Sequence, residues 1–164
     1  MRDDEITFRS VQENSDIARL EAALRALSAD IGEDYACPGA TLAHALTGPH
    51  PAAQGLLALQ QEHTLGAALY SPVFSTVRGA AGVYVSDLWV NGDSRGQGIG
   101  ARLLAQVAQH SARLWHATWL KLAVYDHSTE AQQFYKRLGF EPAAGMQEMR
   151  LGAQGVSELI RRAA

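Results

Sequence analysis

Four groups of residues in this chain have the types and spacing that chemistry asks for. The run Arg95-Gly96-Gln97-Gly98-Ile99-Gly100-Ala101 sets alternate glycines between an apolar segment and a helical pattern. Without side chains the backbone can come close to a ligand, and a first helical turn leaves its N–H groups unpaired. Those donors and the positive end of the helix dipole suit a pyrophosphate, to which Arg95 adds a fork of charged donors. Asp87 is a carboxylate inside the apolar run Val83 to Val90. An ionised group there is unusual enough to suggest use, or else it anchors a neighbouring loop. Tyr135, in Phe134-Tyr135-Lys136-Arg137-Leu138-Gly139-Phe140, offers a phenolic proton or plain core packing. Asp30-Ile31-Gly32-Glu33-Asp34-Tyr35 gathers three carboxylates and a phenol just before Cys37-Pro38-Gly39. It reads either as a solvated helix end or as the wall of a pocket for a cation.

The glycine run admits other readings. Gly96, Gly98 and Gly100 can simply allow tight packing of a strand-helix corner. Gly96 to Ala101 also fits the dinucleotide fingerprint G-x-G-x-x-[GA], with Asp126 standing where a ribose-binding acid would. Position in the chain counts against that, because a dinucleotide domain normally starts with this unit, whereas about half the chain precedes it here. Six histidines, His44, His50, His63, His110, His116 and His127, form no H-x-x-x-H or H-E-x-x-H unit, so no metal site is expected. His127 is the one near the presumed ligand loop.

The elements that must position these groups follow from periodicity and turn chemistry. Ile6 to Arg9 reads as a strand, and Asn14-Ser15-Asp16 offers caps for a helix with the stripe Ile17, Leu20, Leu24 and Leu27. Thr41 to Leu46 is a short helix closed by Gly48-Pro49-His50-Pro51. Leu56 to Gln60 and Leu65 to Phe74 are antiparallel strands around the turn Gln61 to Thr64, and Arg78 to Gly82 turns the chain into the strand Val83 to Val90. That strand stops at Asn91-Gly92-Asp93-Ser94. From Ile99, the positions Leu103, Leu104, Val107, Ala108, Ser111 and Leu114 fall at helical spacing. Trp119 to Val124 is a fifth strand, parallel by its helical crossover. A helix then starts at Ser128-Thr129-Glu130, with Thr129 and Gln132 in capping-box register and Gly139 as its stop. Met146 to Leu151 is expected to close the sheet, and Val156 to Arg162 is a short terminal helix. The class is mixed α/β, one twisted, mostly antiparallel sheet of about six to seven strands with helices on both faces.

Composition sets bounds. The 164 residues, 47% hydrophobic and 19% charged, suit one globular domain over 1–164. A net charge of -3 gives no electrostatic reason to expect nucleic acid. Cys37 is the single cysteine, which excludes an intrachain disulfide and fits a reducing cytoplasm. The opening Met1-Arg2-Asp3-Asp4-Glu5 is acidic with no apolar run behind it, so no signal segment and no membrane association are expected.

The pattern Arg95 to Gly100 matches [QR]-x-x-G-x-[GA], the acyl-CoA loop of the GNAT superfamily of N-acetyltransferases, and Phe134 to Phe140 resembles the family's F-Y-x-x-x-G-F segment. The order of elements resembles the family over nearly the whole chain. The resemblance implies acetyl-CoA as the cofactor, with its diphosphate on residues Arg95, Gly96, Gln97, Gly98, Ile99, Gly100 and Ala101 and a phosphate within reach of Arg102. The resemblance also implies that the sheet splays between strands four and five, with the pantetheine arm in that gap on the backbone of Leu88, Trp89 and Val90. An alkylamine with a pKa near 10.4 is neutral in about one molecule in 2500 at pH 7, a cost of ~4.6 kcal/mol that a base or a desolvating pocket must offset. Asp87 is the nearest carboxylate for that task, and the backbone N–H of Leu88 would meet the oxyanion. Tyr135 would protonate the departing thiolate. Ser128 stands where many members carry an asparagine that bonds the pantetheine, and it also reads as a helix cap.

Leu69-Tyr70-Ser71-Pro72-Val73-Phe74 and Val83 to Val90 look like the diamine (spermidine/spermine and thialysine) branch of the family. In that branch a glutamate placed to handle the amine proton stands where this chain has Ser86, while Asp87 is retained. The branch implies a small primary amine as acceptor, bordered by Glu33, Asp34, Tyr35, Tyr70, Ser86 and Asp87. It also implies a homodimer. A protein or peptide acceptor, or a sensor that binds acyl-CoA without transfer, are the competing readings.

Overall fold

A computed structural model describes residues 5–163, so the acidic opening Met1 to Asp4 lies outside the described residues. The chain divides into two compact units, Met1–Tyr125 and Asp126–Ala164.

In the first unit, runs of apolar and β-branched residues between turn signals pair as one sheet. β1 (Ile6–Ser10), β2 (Gln54–Gln60), β3 (His63–Ser75) and β4 (Ala80–Val90) are antiparallel neighbours in chain order. β5 (Trp119–Leu122) joins the edge of β4 in parallel. The β2–β3 turn is tighter than the sequence suggests. Gln60 pairs with His63, so Gln61 and Glu62 alone make the turn, with Gln61 at a positive φ of 53°.

Helices cover both faces. α1 (Asn14–Ile31) turns Ile17, Leu20, Ala23 and Leu24 inward, and with Leu42 and Leu46 of α2 (Gly39–Thr47) they bury Leu57, Leu59 and Ala67 of the sheet. The predicted caps Asn14, Ser15 and Asp16 instead lie inside α1, whose N-cap Glu13 makes no side-chain bond. Asp16 is buried and faces Arg9 of β1 at 2.6 Å, because a buried carboxylate needs a cation more than a helix end needs a cap. α3 (Ile99–Trp115) packs on β3 and β4 from the other face through Ile99, Leu103, Leu104, Val107 and Ser111. Each large apolar side chain buried there is worth roughly 1.5–3 kcal/mol. Leu114, expected on that stripe, is half exposed.

In the second unit, α4 (Thr129–Arg137) ends as expected, with Gly139 at φ 90° just past its last turn. Its start differs from the capping-box expectation. Ser128 is the N-cap without a side-chain bond, and the Gln132 amide donates to the carbonyl of Asp126 at 3.0 Å. α5 (Ala153–Arg161) begins three residues earlier than the sequence suggests.

Among the described residues the sheet has five strands rather than six or seven. Met146 to Leu151 forms none, and Met146, Met149 and Leu151 are exposed. Their spacing breaks the period of two that a half-buried strand requires. No described helix is long and apolar enough to cross a membrane.

Candidate functional site

The site is built around the far end of β4. The parallel ladder with β5 runs from Gly82↔Trp119 to Val85↔Leu122 and stops, while β4 continues for five more residues, Ser86 to Val90, paired only with β3. β5 ends at Leu122, two residues short of the expected Val124, so the two strands no longer pair beyond Val85, where the resemblance places the splay. The backbone of Leu88, Trp89 and Val90 borders that gap on the β4 side.

A β-bulge sets the orientation of the polar residues there. Leu69 pairs with Asp87 and Tyr70 with Val85, so Ser86 is an extra residue in β4, and its hydroxyl donates to the Leu69 carbonyl at 3.2 Å. Val83 and Val85 alternate onto the α3 face. Without the bulge Asp87 would follow them; with it, Asp87 stands beside Leu69 and two residues from Trp89, both packed on the α1–α2 cluster. Burial there pushes the Asp87 carboxyl above its ordinary value of 3.8, only partly opposed by a hydrogen bond with Ser86. Two adjacent polar residues inside an apolar strand were the readable sign of this bulge.

The glycine loop behaves as its sequence suggests. Asn91 Oδ1 accepts from the Asp93 N–H at 3.1 Å, a short 3-10 turn spans Gly92–Ser94, and α3 then starts after Gly96 and Gly98, both at φ 75°. A Cβ at either glycine would meet nothing within 4 Å. Gly96 and Gly98 are thus needed for left-handed backbone, not for tight packing, while Gly100 is buried in the first turn of α3, and the loop opens outward. The first-turn amides of Ile99, Gly100 and Ala101 precede any intrahelical acceptor, as Arg102 N–H is the first to find one, the Gly98 carbonyl at 3.1 Å. These positions fit an anionic diphosphate.

Other expected residues are differently employed. The Arg95 guanidinium donates to the Val90 carbonyl at 3.1 Å and to Asp30 of α1 at 2.6 Å, so its side chain serves the protein itself. Arg102 lies over the Phe8 ring at 4.9 Å. Tyr70 does not join Ser86 and Asp87. It is fully buried on the opposite face of the sheet, its hydroxyl 2.5 Å from His110 Nδ1 and its ring edge-on to His110 and Trp115. With no exposed area it has no surface to give an acceptor, which corrects that expectation. Burial raises its phenol to about 12.

Glu33, Asp34 and Tyr35 follow the end of α1. Gly32 closes that helix in the left-handed conformation, its N–H on Ala29 and that of Glu33 on Ser28, a Schellman arrangement. Glu33 accepts from the Tyr125 hydroxyl at 3.0 Å, a partner the sequence did not suggest. Tyr35 packs on the same cluster as Leu69 and Trp89, with Arg25 over its ring at 4.4 Å. Burial first, then the neighbouring Cys37 and Glu21, raises its phenol to about 12. The structure thus gathers Tyr35, Asp87 and Trp89 on one face of the sheet. A cavity of about 320 Å³ lies elsewhere, on the paired part of β4 and β5, lined by Val83, Ser111, Ala112, Trp119 and Leu120 among others.

In the second unit, Tyr135 is half-buried between Phe134 and Phe140, with ring centroids 5.1 and 5.5 Å away. Burial holds its phenol above the usual 10, so it keeps its proton at neutral pH. Among the described residues no three His, Cys, Asp or Glu side chains lie together as metal ligands would.

Comparison with known proteins agrees with this geometry. A thialysine N-epsilon-acetyltransferase from Bos taurus is 33% identical over 98 residues, and that alignment spans 58% of this chain and 56% of the relative, little more than half of each. The fold is similar to an integron cassette protein from the mobile metagenome of V. cholerae, with TM-score 0.76, 22% identity, and 95% and 98% of the two chains covered. It is also similar to an aminoglycoside acetyltransferase from an uncultured soil metagenomic sample, with TM-score 0.73, 17% identity and 90% and 97% covered. The model of the Acetyltransferase (GNAT) family matches residues 21–140, well over half the sequence, so this chain belongs to the GNAT acetyltransferase family.

Proposed function

We propose that the chain is a single acetyltransferase domain that moves an acetyl group from acetyl-CoA to a primary amine of a small molecule, diamine-like or amino-acid-like, by direct transfer in a ternary complex. One observation carries this reading: the glycine loop at the start of α3 opens outward beside the point where β4 and β5 part. The named activity of the thialysine acetyltransferase relative supports the amine class.

When bound, acetyl-CoA supplies an acyl group activated as a thioester. The chain does the rest. Backbone donors from Gly96 to Ala101 hold the diphosphate, while Arg95 fixes the loop that presents them. Leu88 to Val90 offer backbone groups to the pantetheine arm, and Ser128 is a further polar contact for it. The Leu88 N–H is the donor toward the acyl oxygen. Asp87, whose raised pKa brings it nearer to the working pH, takes the amine proton, directly or through a water that Ser86 orients. Tyr135 returns a proton to the thiolate. Glu33, Asp34 and Tyr35 line the acceptor side, where carboxylates favour a cationic amine. We place the protein in the cytoplasm as a homodimer.

Thiol release from acetyl-CoA, offered with diamines, aminoglycosides, amino acids and peptides, tests the reading. Turnover is expected with a small diamine or amino acid, and Tyr135→Phe should lower kcat at least tenfold with little change in acetyl-CoA affinity. An unchanged rate in that variant removes Tyr135 from the chemistry. Ser86, in place of the branch's glutamate, favours one second reading, a sensor that binds acyl-CoA without transfer. CoA binding without thiol release from any amine would establish that instead.

A further inference from the structure

The segment from Asp30 to Glu33 is tied to both strands that border the gap. On the β4 side, Arg95 donates through Nε to the carbonyl of Val90, the last residue of the strand, and through Nη2 to Asp30 at 2.6 Å. On the β5 side, Tyr125, three residues beyond the strand, donates its hydroxyl to Glu33 Oε1 at 3.0 Å. Between the two tethers the chain is stiff, because the Schellman bonds of Gly32 and Glu33 lock the turn and fix Asp30 relative to Glu33. One tether spans 65 residues of sequence and the other 92, so neither is a by-product of local structure.

We propose that Asp30 and Tyr125 are positioning residues for the acceptor: they strap the segment 30–35 across the parted ends of β4 and β5 and so hold Glu33, Asp34 and Tyr35 where an amine is bound. This rests on the acetyltransferase reading above. The strap reaches the cofactor side only through Arg95 and the Val90 carbonyl. Its Tyr125–Glu33 end touches neither, so that end sets acceptor affinity rather than the rate of the step. It also explains why the sequence carries an arginine at position 95 whose charge is spent on a carboxylate. A phosphate contact would need that charge free.

The test uses the full chain, with Tyr125→Phe and Asp30→Asn as single and double variants, neither residue being part of the transfer machinery. Hydrogen exchange of amides 31–36 reads the strap itself, and it should speed up in each variant while the amides of Leu20 to Leu24 in α1 stay protected. With the best amine of the panel, acceptor KM should rise roughly two- to tenfold per lost bond, and in Tyr125→Phe, whose bond lies away from Arg95, kcat and acetyl-CoA Kd should stay unchanged. Unchanged exchange shows that the tethers do not hold the segment, and faster exchange with unchanged KM shows that the segment does not position the acceptor. Either overturns the inference while leaving the wild type active. Wild-type protein that transfers acetyl to no amine overturns the acetyltransferase reading, and the inference with it.

Discussion

At the scale of single residues, one insertion decides which way Asp87 faces. Ser86 is the extra residue of β4, and its presence turns the next carboxylate from the α3 face to the α1–α2 face of the sheet. The sequence shows Asp87 as an anomaly in an apolar run, but a period-two reading alone assigns it to the wrong face. Its burial has a cost with a definite pH dependence. A carboxyl whose folded pKa lies above its unfolded one costs nothing below about 3.8, where both states are protonated, and costs most above the raised value. Asp87→Asn, neutral and of the same shape, removes that cost. The variant should therefore match the wild type in Tm at acid pH and exceed it at pH 7–8, while its transfer rate falls. A variant less stable than the wild type at pH 8 would show that the ionised carboxylate is held by bonds that outweigh its burial, and Asp87 would then be an anchor rather than a base.

At the scale of elements, what was legible depended on whether a signal is local. The strands, α3 and the glycine turn could be read, since each rests on periodicity or on a required positive φ. The start of α1 was misread because its capping-type residue Asp16 is claimed by Arg9 from another strand, and Met146 to Leu151 because apolar content stood in for alternation. The junction of β4 and β5 rests on a contact with no sequence signature. The Trp119 ring lies against Gly82, and its Nε1 donates to the Ala80 carbonyl at 3.2 Å. A Cβ at Gly82 would sit 2.3 Å from two atoms of that ring. Gly82→Ala should cost about 1–3 kcal/mol by overpacking in urea unfolding. Adding Trp119→Leu should recover part of the loss, a coupling visible in the double-mutant cycle. Additive losses would mean that the ring is not what confines position 82.

At the scale of the whole molecule, the family could be read from two motifs about forty residues apart, whereas the ties Arg95–Asp30 and Tyr125–Glu33 and the buried Tyr70–His110 pair could not. Their partners are far apart in sequence, and no rule of spacing joins them before the sheet exists. The role proposed for the glycine loop gives a measurement on the full chain. A ligand that binds only the folded state stabilises it by RT ln(1 + [L]/Kd), which is about 2.7 kcal/mol at one hundred times Kd. For a chain of this length each kcal/mol is worth roughly 2–4 °C, so saturating CoA should raise Tm by about 5–10 °C, with no matching rise for NAD. Gly98→Ala forces a non-glycine residue to φ 75° and sets a methyl on the outward face of the loop without touching any protein atom within 4 Å. Its own Tm should fall by no more than the ~1–2 kcal/mol of left-handed strain, but most of the CoA-induced rise should vanish. If the variant keeps the full rise, the diphosphate is not held at this turn. If NAD gives the rise and CoA does not, the loop serves a dinucleotide after all.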